Sequence, residues 1–143
     1  MPRAVRDRGV CPIANARRAR HADGVGKTVL IVDDDEGFHS VAQELFEQRG
    51  YEVVGHAAGA AEARRRATEL DPDVVLLDVG LPDGNGVVLA GELLQGGEGR
   101  PCMLLTSANP QAVPDHVLAR SAACGFVAKT DLANADLDRY LRR

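Results

Sequence analysis

Short apolar runs alternate with stretches of helical periodicity from position 27 onward. Residues 29–32 form a β-branched and apolar run that stops at Asp33, which predicts a buried strand with acid at its carboxyl end. The next apolar residues recur at intervals of three and four positions, so they predict an amphipathic helix that ends at Gly50. These residues are Phe38, Val41, Ala42, Leu45 and Phe46.

The same alternation continues toward the end of the chain. The further predicted strands are residues 51–54, 74–77, 103–105 and 125–128. The further predicted helices lie within residues 60–70, 87–94, 114–122 and 132–141. Residues 80–86 contain three glycines and a proline, so they predict a loop.

Five short strands that alternate with helices predict an α/β protein, in which helices cover both faces of a parallel sheet. In such sheets the ligand site lies beyond the carboxyl ends of the strands. Polar residues follow four of the five strands there: Asp33 and Asp34 after the first, Asp78 after the third, Thr106 after the fourth and Lys129 after the fifth. We therefore expect these side chains at one edge of the sheet.

Three carboxylates at one sheet edge repel each other, and burial increases the repulsion, so a cation must accompany them if all are ionised. Their oxygen atoms suit Mg2+ or a similar hard ion. A carboxylate beside such an ion can attack a phosphoryl group, whose oxygens a cation and a hydroxyl then stabilise. On this interpretation Asp78 is the nucleophile, Lys129 the cation and Thr106 the hydroxyl donor.

Each of these residues also has a simpler interpretation. The acids at positions 33–36 are equally well explained as the start of a helix, where negative charge complements the dipole. Lys129 is more specific, because the chain contains 15 Arg and only 2 Lys and a compact ammonium group differs from a guanidinium fork. The site interpretation depends on all of these residues reaching one edge.

The composition is that of a soluble globular protein. The 143 residues correspond to one domain, with 45% apolar and 27% charged residues, a balance typical of this class. Two Tyr, three Phe and no Trp, together with a net charge of -4, argue against direct binding of DNA or RNA. No apolar run reaches the roughly 18 residues that a membrane span requires.

Charge is unevenly distributed along the chain. Residues 1–26 contain six Arg and two Asp, a charge of +4, whereas the other residues contain 11 basic and 19 acidic side chains, a charge of -8. We expect residues 1–26 to be a disordered basic extension, with binding to an acidic partner as the alternative.

The three cysteines, Cys11, Cys102 and Cys124, lack the spacing of a metal site. Their odd number favours reduced thiols in the cytoplasm, where they act as small buried apolar groups. A redox-sensing thiol at Cys102 or Cys124 is the alternative.

Taken together, the motifs resemble those of the receiver domain of two-component response regulators, over about residues 27–141. The matching segments are VLIVDD at 29–34, PDVVLLD at 72–78, LPDG at 81–84 with Gly86, TSA at 106–108 and GFVAK at 125–129. This resemblance implies a flavodoxin-like doubly wound (βα)5 sandwich with strand order 2-1-3-4-5. It also implies that a receiver domain occupies residues 27–143.

The resemblance further implies roles for the acids. Asp78 is the expected phosphoacceptor, which receives its phosphoryl group from a phosphohistidine on a sensor histidine kinase or a histidine phosphotransfer protein. Mg2+ is the expected cofactor. Its expected ligands are Asp78, Asp34, Asp33 mainly through water, and the backbone carbonyl of Gly80.

Phosphorylation is expected to act as a switch. The resemblance implies that Thr106 and Lys129 hold the phosphoryl oxygens, and that Phe126 turns inward as the Thr106 hydroxyl moves toward the phosphoryl group. For Phe126, an ordinary role as an aromatic residue at the edge of the core is an equal alternative. The face formed by residues 111–141 then changes its affinity for a downstream protein target or for a second copy of the chain.

Because the resemblance extends almost to the last residue, we expect no attached DNA-binding or catalytic output domain and no independent enzymatic activity. One alternative is a Mg2+-dependent phosphatase with an Asp nucleophile, although Gly80 stands where its second acid would be. Another is a scaffold that does not accept phosphate. Gly80 and Ala108 flank Asp78 without bulky side chains, so we hypothesise that water easily reaches an acyl phosphate there.

Overall fold

The computed structural model describes residues 26–94 and 101–141. The strands in this part of the chain are β1 (Thr28–Val32), β2 (Glu52–Ala57), β3 (Val74–Asp78), β4 (Gly80–Leu81), β5 (Gly84–Asn85), β6 (Cys102–Ser107) and β7 (Gly125–Ala128). The helices are α1 (Glu36–Gln48), α2 (Ala60–Leu70), α3 (Gly86–Leu94), α4 (Asp115–Arg120), a 3-10 helix (Lys129–Asn134) and α5 (Leu137–Leu141).

Five strands form one parallel sheet in the order β2-β1-β3-β6-β7. Since β6 and β7 are the fourth and fifth strands of this sheet along the chain, the predicted order 2-1-3-4-5 is confirmed. The order reverses at β1, so the sheet grows outward on both sides of β1 and β3. The carboxyl ends of these two central strands are therefore the place where this fold provides a site.

Successive strand residues point to opposite faces of the sheet, and the residues on both faces are buried. On β3, Leu76 packs in a cluster with Phe46 of α1 and Leu137 of α5. The next residue, Leu77, packs in a second cluster with Leu89 of α3. Helices thus cover both faces, as predicted, and polar chemistry is confined to the edge. Within the two described ranges, no helix combines the length and apolar character needed to cross a bilayer.

The predicted loop at residues 80–86 contains a small antiparallel hairpin. Its two strands, β4 and β5, pair Gly80 with Asn85 and Leu81 with Gly84. Gly86 begins α3 directly after the hairpin. The hairpin therefore links the end of β3, where Asp78 lies, to the start of α3.

The predicted closing helix over residues 132–141 is wrong in its middle. The 3-10 helix stops at Asn134, Ala135 is extended with φ -74° and ψ 147°, and α5 begins only at Leu137. The Arg49 guanidinium of the neighbouring helix end donates hydrogen bonds to the backbone oxygens of Ala133 (2.5 Å) and Ala135 (2.6 Å). These long-range bonds occupy the carbonyl groups where the helix breaks.

The expectation of reduced thiols is wrong for two of the three cysteines. Cys102 at the start of β6 and Cys124 just before β7 form a disulfide bond. Parallel pairing explains their meeting, since the Cys124 N–H donates to the Met103 carbonyl oxygen at 2.7 Å. Cys11 and the expected basic extension, apart from Gly26, lie outside the described residues.

Candidate functional site

Three aspartates meet at the carboxyl ends of the two central strands. One ligand oxygen from each of Asp33, Asp34 and Asp78 lies within 4.8 Å of the others. The register places them there, because Val32 of β1 pairs with Leu77 of β3 and the next residues emerge side by side. Asp33 and Asp78 are buried, whereas Asp34 is exposed. An all-oxygen cluster with one side open to water is the type of donor set that hard divalent cations prefer.

Lys129 extends from the end of β7 into this cluster. Its Nζ atom lies 2.6 Å from Asp33 Oδ2 and 3.7 Å from Asp78 Oδ2, and 4.5 Å from the centre of the Phe38 ring. Burial on its own lowers the pKa of Lys129, but the hydrogen bond and the charges of Asp33 and Asp78 outweigh it, and the net pKa is raised. Lys129 therefore remains a cation and offsets part of the negative charge.

Asp78 is in an environment that disfavours its charge. Burial is the main reason that the pKa of Asp78 is raised, and the neighbouring Asp33 adds to the effect. The Gly80 N–H opposes it by donating to Asp78 Oδ1 at 3.2 Å. A nearby cation therefore stabilises the ionised form of the Asp78 carboxylate.

The acidic run at positions 33–36 serves two purposes. Asp35 caps α1, since its side chain accepts hydrogen bonds from the N–H groups of Gly37 (2.9 Å) and Phe38 (3.4 Å). Asp33 Oδ1 in turn accepts a bond from the Asp35 N–H at 2.8 Å. The helix-start interpretation thus holds for Asp35, while Asp33 and Asp34 face the cluster.

Thr106 lies beside the cluster but its hydroxyl group points elsewhere. The register pairs Thr106 of β6 with Asp78 of β3, and the Thr106 side chain is buried. Its Oγ1 donates a hydrogen bond to the Val127 carbonyl oxygen at 2.7 Å. Phe126, the residue before Val127, is partly buried against the cluster of side chains on the α2 and α3 side of the sheet.

Two site features were not predicted from the sequence. The sequence pattern places Phe38 only on the apolar face of α1, yet its ring lies under the Lys129 ammonium group. Gly86 contributes close packing, because a Cβ atom there would lie 2.5 Å from the Asp78 carbonyl oxygen. The Gly86 N–H also donates to the Val79 carbonyl oxygen at 2.8 Å. The glycine itself was a signal, but only the fold reveals which backbone it approaches.

Comparison with known proteins agrees with this geometry. The family model described as "Response regulator receiver domain" matches residues 29–140. The chain is 39% identical to the DNA-binding transcriptional activator DevR/DosR of Mycobacterium tuberculosis, over 80% of this chain and 52% of that protein. It is 30% identical to the chemotaxis protein CheY of Thermotoga maritima, over 73% of this chain and 87% of that one.

The chain spans about half the length of the transcriptional regulators that it matches. Among solved structures, it resembles the signal receiver domain of NarL from M. tuberculosis with a TM-score of 0.70 and 26% identity, over 83% of this chain and 99% of that one. It also resembles the response regulator TrrA of T. maritima, solved in complex with Mg2+-BeF, with a TM-score of 0.68 and 25% identity, over 80% and 99% of the two chains. The chain therefore belongs to the response regulator receiver domain family.

Proposed function

We propose that this chain is a phosphorylation-controlled signalling module of a two-component system, with Asp78 as the phosphoacceptor. The observation that carries the proposal is the convergence of Asp33, Asp34 and Asp78 within 4.8 Å, with the Lys129 ammonium group 3.7 Å from Asp78 Oδ2. Receiver domains as a class are phosphoacceptors and are not generally classed as enzymes. The proposed donor is a phosphohistidine on a sensor histidine kinase or a histidine phosphotransfer protein.

Mg2+ is the proposed cofactor, since receiver domains bind this ion at an acidic site. The carboxylates of Asp34 and Asp78 and the backbone carbonyl of Gly80 would hold it directly, and Asp33 would hold it mainly through water. Their fit rests on the all-oxygen donor set and on the exposure of Asp34, which leaves room for water ligands. When bound, the ion offsets the like charges and polarises the phosphoryl oxygens. The TrrA complex with Mg2+-BeF supports the assignment by relationship.

The proposed transfer is a substitution at phosphorus. An oxygen of Asp78 forms the new P–O bond as the P–N bond of the phosphohistidine breaks, and the imidazole leaves with the electron pair. Lys129 contributes a fixed positive charge next to Asp78, where negative charge builds up on the phosphoryl oxygens. Asp78 is held in one orientation by the Gly80 N–H.

The proposed output is a change of protein-binding surface rather than a reaction. The Thr106 hydroxyl donates a hydrogen bond to the Val127 carbonyl oxygen. If the hydroxyl donated to a phosphoryl oxygen instead, the Val127 carbonyl beside Phe126 would lose this bond. Phe126 would then turn inward, so that the face of residues 111–141 changes its affinity for a downstream protein or for a second copy of this chain. The in-register pairing of Asp78 with Thr106 supports this route from the phosphoryl group to that face.

Intact-mass measurement after incubation with acetyl phosphate or phosphoramidate and Mg2+ tests the proposal. We expect one added phosphoryl group on the wild type and none on Asp78→Asn. Asp115→Asn on α4 is the matched control, because it removes one carboxylate far from the cluster in sequence and should still be labelled. A wild type that gains no phosphoryl group, or an Asp78→Asn variant that is labelled as well as the wild type, would refute the phosphoacceptor role.

A further inference from the structure

Helix α2 begins without a capping side chain of its own. Its N-cap residue is Gly59, which has no side chain to accept hydrogen bonds from the first turn. The first N–H groups of a helix need acceptors, because no helical carbonyl is available to them. Here the acceptor is Asp83, more than twenty positions later: Ala60 N–H donates to its Oδ1 at 2.6 Å, and Ala61 N–H donates to its Oδ2 at 3.1 Å.

Gly59 and Gly84 make room for this contact. A Cβ atom on Gly59 would lie 2.7 Å from Asp83 Oδ1 and 3.2 Å from its Oδ2. The Gly59 backbone is extended, with φ -162° and ψ -179°, so glycine is needed for space and not for its conformation. A Cβ atom on Gly84 would lie 3.2 Å from Ala60 Cβ. The turn of the hairpin is therefore seated directly on the start of α2.

The charge of Asp83 suits this position. The hydrogen bonds from the Ala60 and Ala61 N–H groups lower the pKa of Asp83 below its ordinary value, so the carboxylate stays ionised. A negative charge at a helix N-terminus is also favoured by the helix dipole. The contact is thus an ionic cap supplied from outside the helix.

The same hairpin is built against the proposed phosphoacceptor. At its base, the Gly80 N–H donates to Asp78 Oδ1 at 3.2 Å, and Gly86 packs against the Asp78 carbonyl group. Strands of two residues, such as β4 and β5, do not hold their position unaided. The hairpin is therefore fixed by Asp78 at its base and by Asp83 at its tip.

We propose that Asp83 is a positioning residue for the metal and phosphoryl site: its carboxylate fastens the β4–β5 hairpin to the start of α2 and so holds the Gly80 backbone beside Asp78. The inference rests on the proposed function in one respect, namely that the Gly80 carbonyl is a Mg2+ ligand. A plain helix cap would stabilise α2 without affecting the metal site. The two roles make different predictions for Mg2+ affinity.

The first test is the Mg2+ dissociation constant of Asp83→Ala in the full chain, measured by calorimetry with MgCl2. We expect it to rise about tenfold, the size of effect that follows loss of a residue supporting a metal ligand. The rate of labelling by acetyl phosphate should fall at low Mg2+ and recover when Mg2+ is saturating. A wild-type dissociation constant in Asp83→Ala would overturn the proposal.

The second test separates capping from positioning. In Gly59→Ser the new Cβ displaces the Asp83 carboxylate, while the Ser hydroxyl group can cap α2 locally. We expect this variant to unfold at nearly the wild-type temperature but to bind Mg2+ as weakly as Asp83→Ala. If Gly59→Ser binds Mg2+ like the wild type, Asp83 is only a cap and the proposal fails.

A control and the wild type complete the design. Tyr51→Phe removes the hydrogen bond from the Tyr51 hydroxyl to Asp138 on the α5 side of the sheet, so it should lower stability without changing Mg2+ affinity. An increased dissociation constant in Tyr51→Phe would mean that any loss of stability weakens binding, which contradicts a specific role for Asp83.

A wild type that binds no Mg2+ and takes no phosphoryl group overturns the proposed function together with this inference. A wild type that does both, with unchanged Mg2+ affinity in Asp83→Ala or in Gly59→Ser, overturns this inference alone.

Discussion

Lys129 pairs more closely with Asp33 than with Asp78. The distances from its Nζ atom are 2.6 Å to Asp33 Oδ2 and 3.7 Å to Asp78 Oδ2. Asp33 is the most deeply buried of the clustered acids, with none of its surface exposed. Lys129 therefore neutralises the Asp33 carboxylate, which would be the most costly of these charges to bury unpaired. It also lies within reach of the phosphoryl group proposed for Asp78.

Removal of the Lys129 charge should destabilise the fold in a Mg2+-dependent way. In Lys129→Met the buried Asp33 carboxylate loses its cationic partner, so we expect the free energy of unfolding to fall by about 2 kcal/mol without Mg2+. Saturating Mg2+ should reduce this loss, because a bound cation supplies the missing charge. Urea unfolding with and without Mg2+ measures both values.

The other lysine of the chain provides the control. The Lys27 ammonium group donates to the Leu141 carbonyl oxygen at 2.8 Å, away from the cluster, so any loss in Lys27→Met should be the same with and without Mg2+. An Mg2+-independent loss in Lys129→Met would show that Lys129 and the ion do not share one site.

The Thr106→Val variant should distinguish the effect of the Thr106 hydroxyl group from the effect of side-chain size and shape. The two side chains have nearly the same volume, but Val leaves the buried Val127 carbonyl without its donor, so we expect a loss of about 1–2 kcal/mol in thermal or urea unfolding. After phosphorylation, the NMR signals of the Phe126 ring should shift in the wild type and in Thr106→Ser, which keeps a hydroxyl group. They should not shift in Thr106→Val, and an equal shift there would contradict the proposed switch.

The edge of the sheet was predictable because its signals are local. Apolar runs stop abruptly at Asp33 and at Asp78, and strand register then brings such residues together without further information. The direction of the Thr106 hydroxyl group was not predictable, because it depends on the carbonyl of a neighbouring strand. The functional roles of these residues remain predictions.

Contacts between distant segments left little trace in the sequence. The cap on α2 comes from Asp83, more than twenty residues away, and nothing in the sequence around Gly59 indicates it. The Cys102–Cys124 bond likewise follows from the pairing of β6 with β7 and not from any cysteine spacing. The helix cap and the disulfide bond therefore required the structure, unlike the strand-end residues, whose meeting follows from the strand order.

His56 should make stability depend on pH near neutrality. Burial, followed by the nearby His39 and Arg66, lowers the pKa of His56 below its ordinary value of 6.5, and its ring stacks on His39 with centroids 4.7 Å apart. As pH falls through 6.5 the unfolded chain binds a proton that the folded chain resists, so stability is lost below that pH and is full above it. When the pH is lowered from about one unit above 6.5 to about one unit below it, we expect the unfolding temperature of His56→Gln to fall less than that of the wild type. Equal losses in both proteins would contradict the assignment.

The lifetime of a phosphoryl group on Asp78 should increase when the positions around it are enlarged. A Cβ atom on Gly80 would meet no atom within 4 Å, and Gly80 does not have a positive φ, so neither a clash at Cβ nor backbone strain opposes a side chain there. In Gly80→Met combined with Ala108→Met, we expect these side chains to screen the acyl phosphate from water and to slow hydrolysis several-fold. Intact mass followed over time, after the phosphoryl donor is removed, gives the half-life. Gly91→Ala on α3, where an added Cβ atom also meets open space, should leave the half-life unchanged. A double variant with the wild-type half-life would refute the idea that open access to water limits the lifetime of the phosphorylated state.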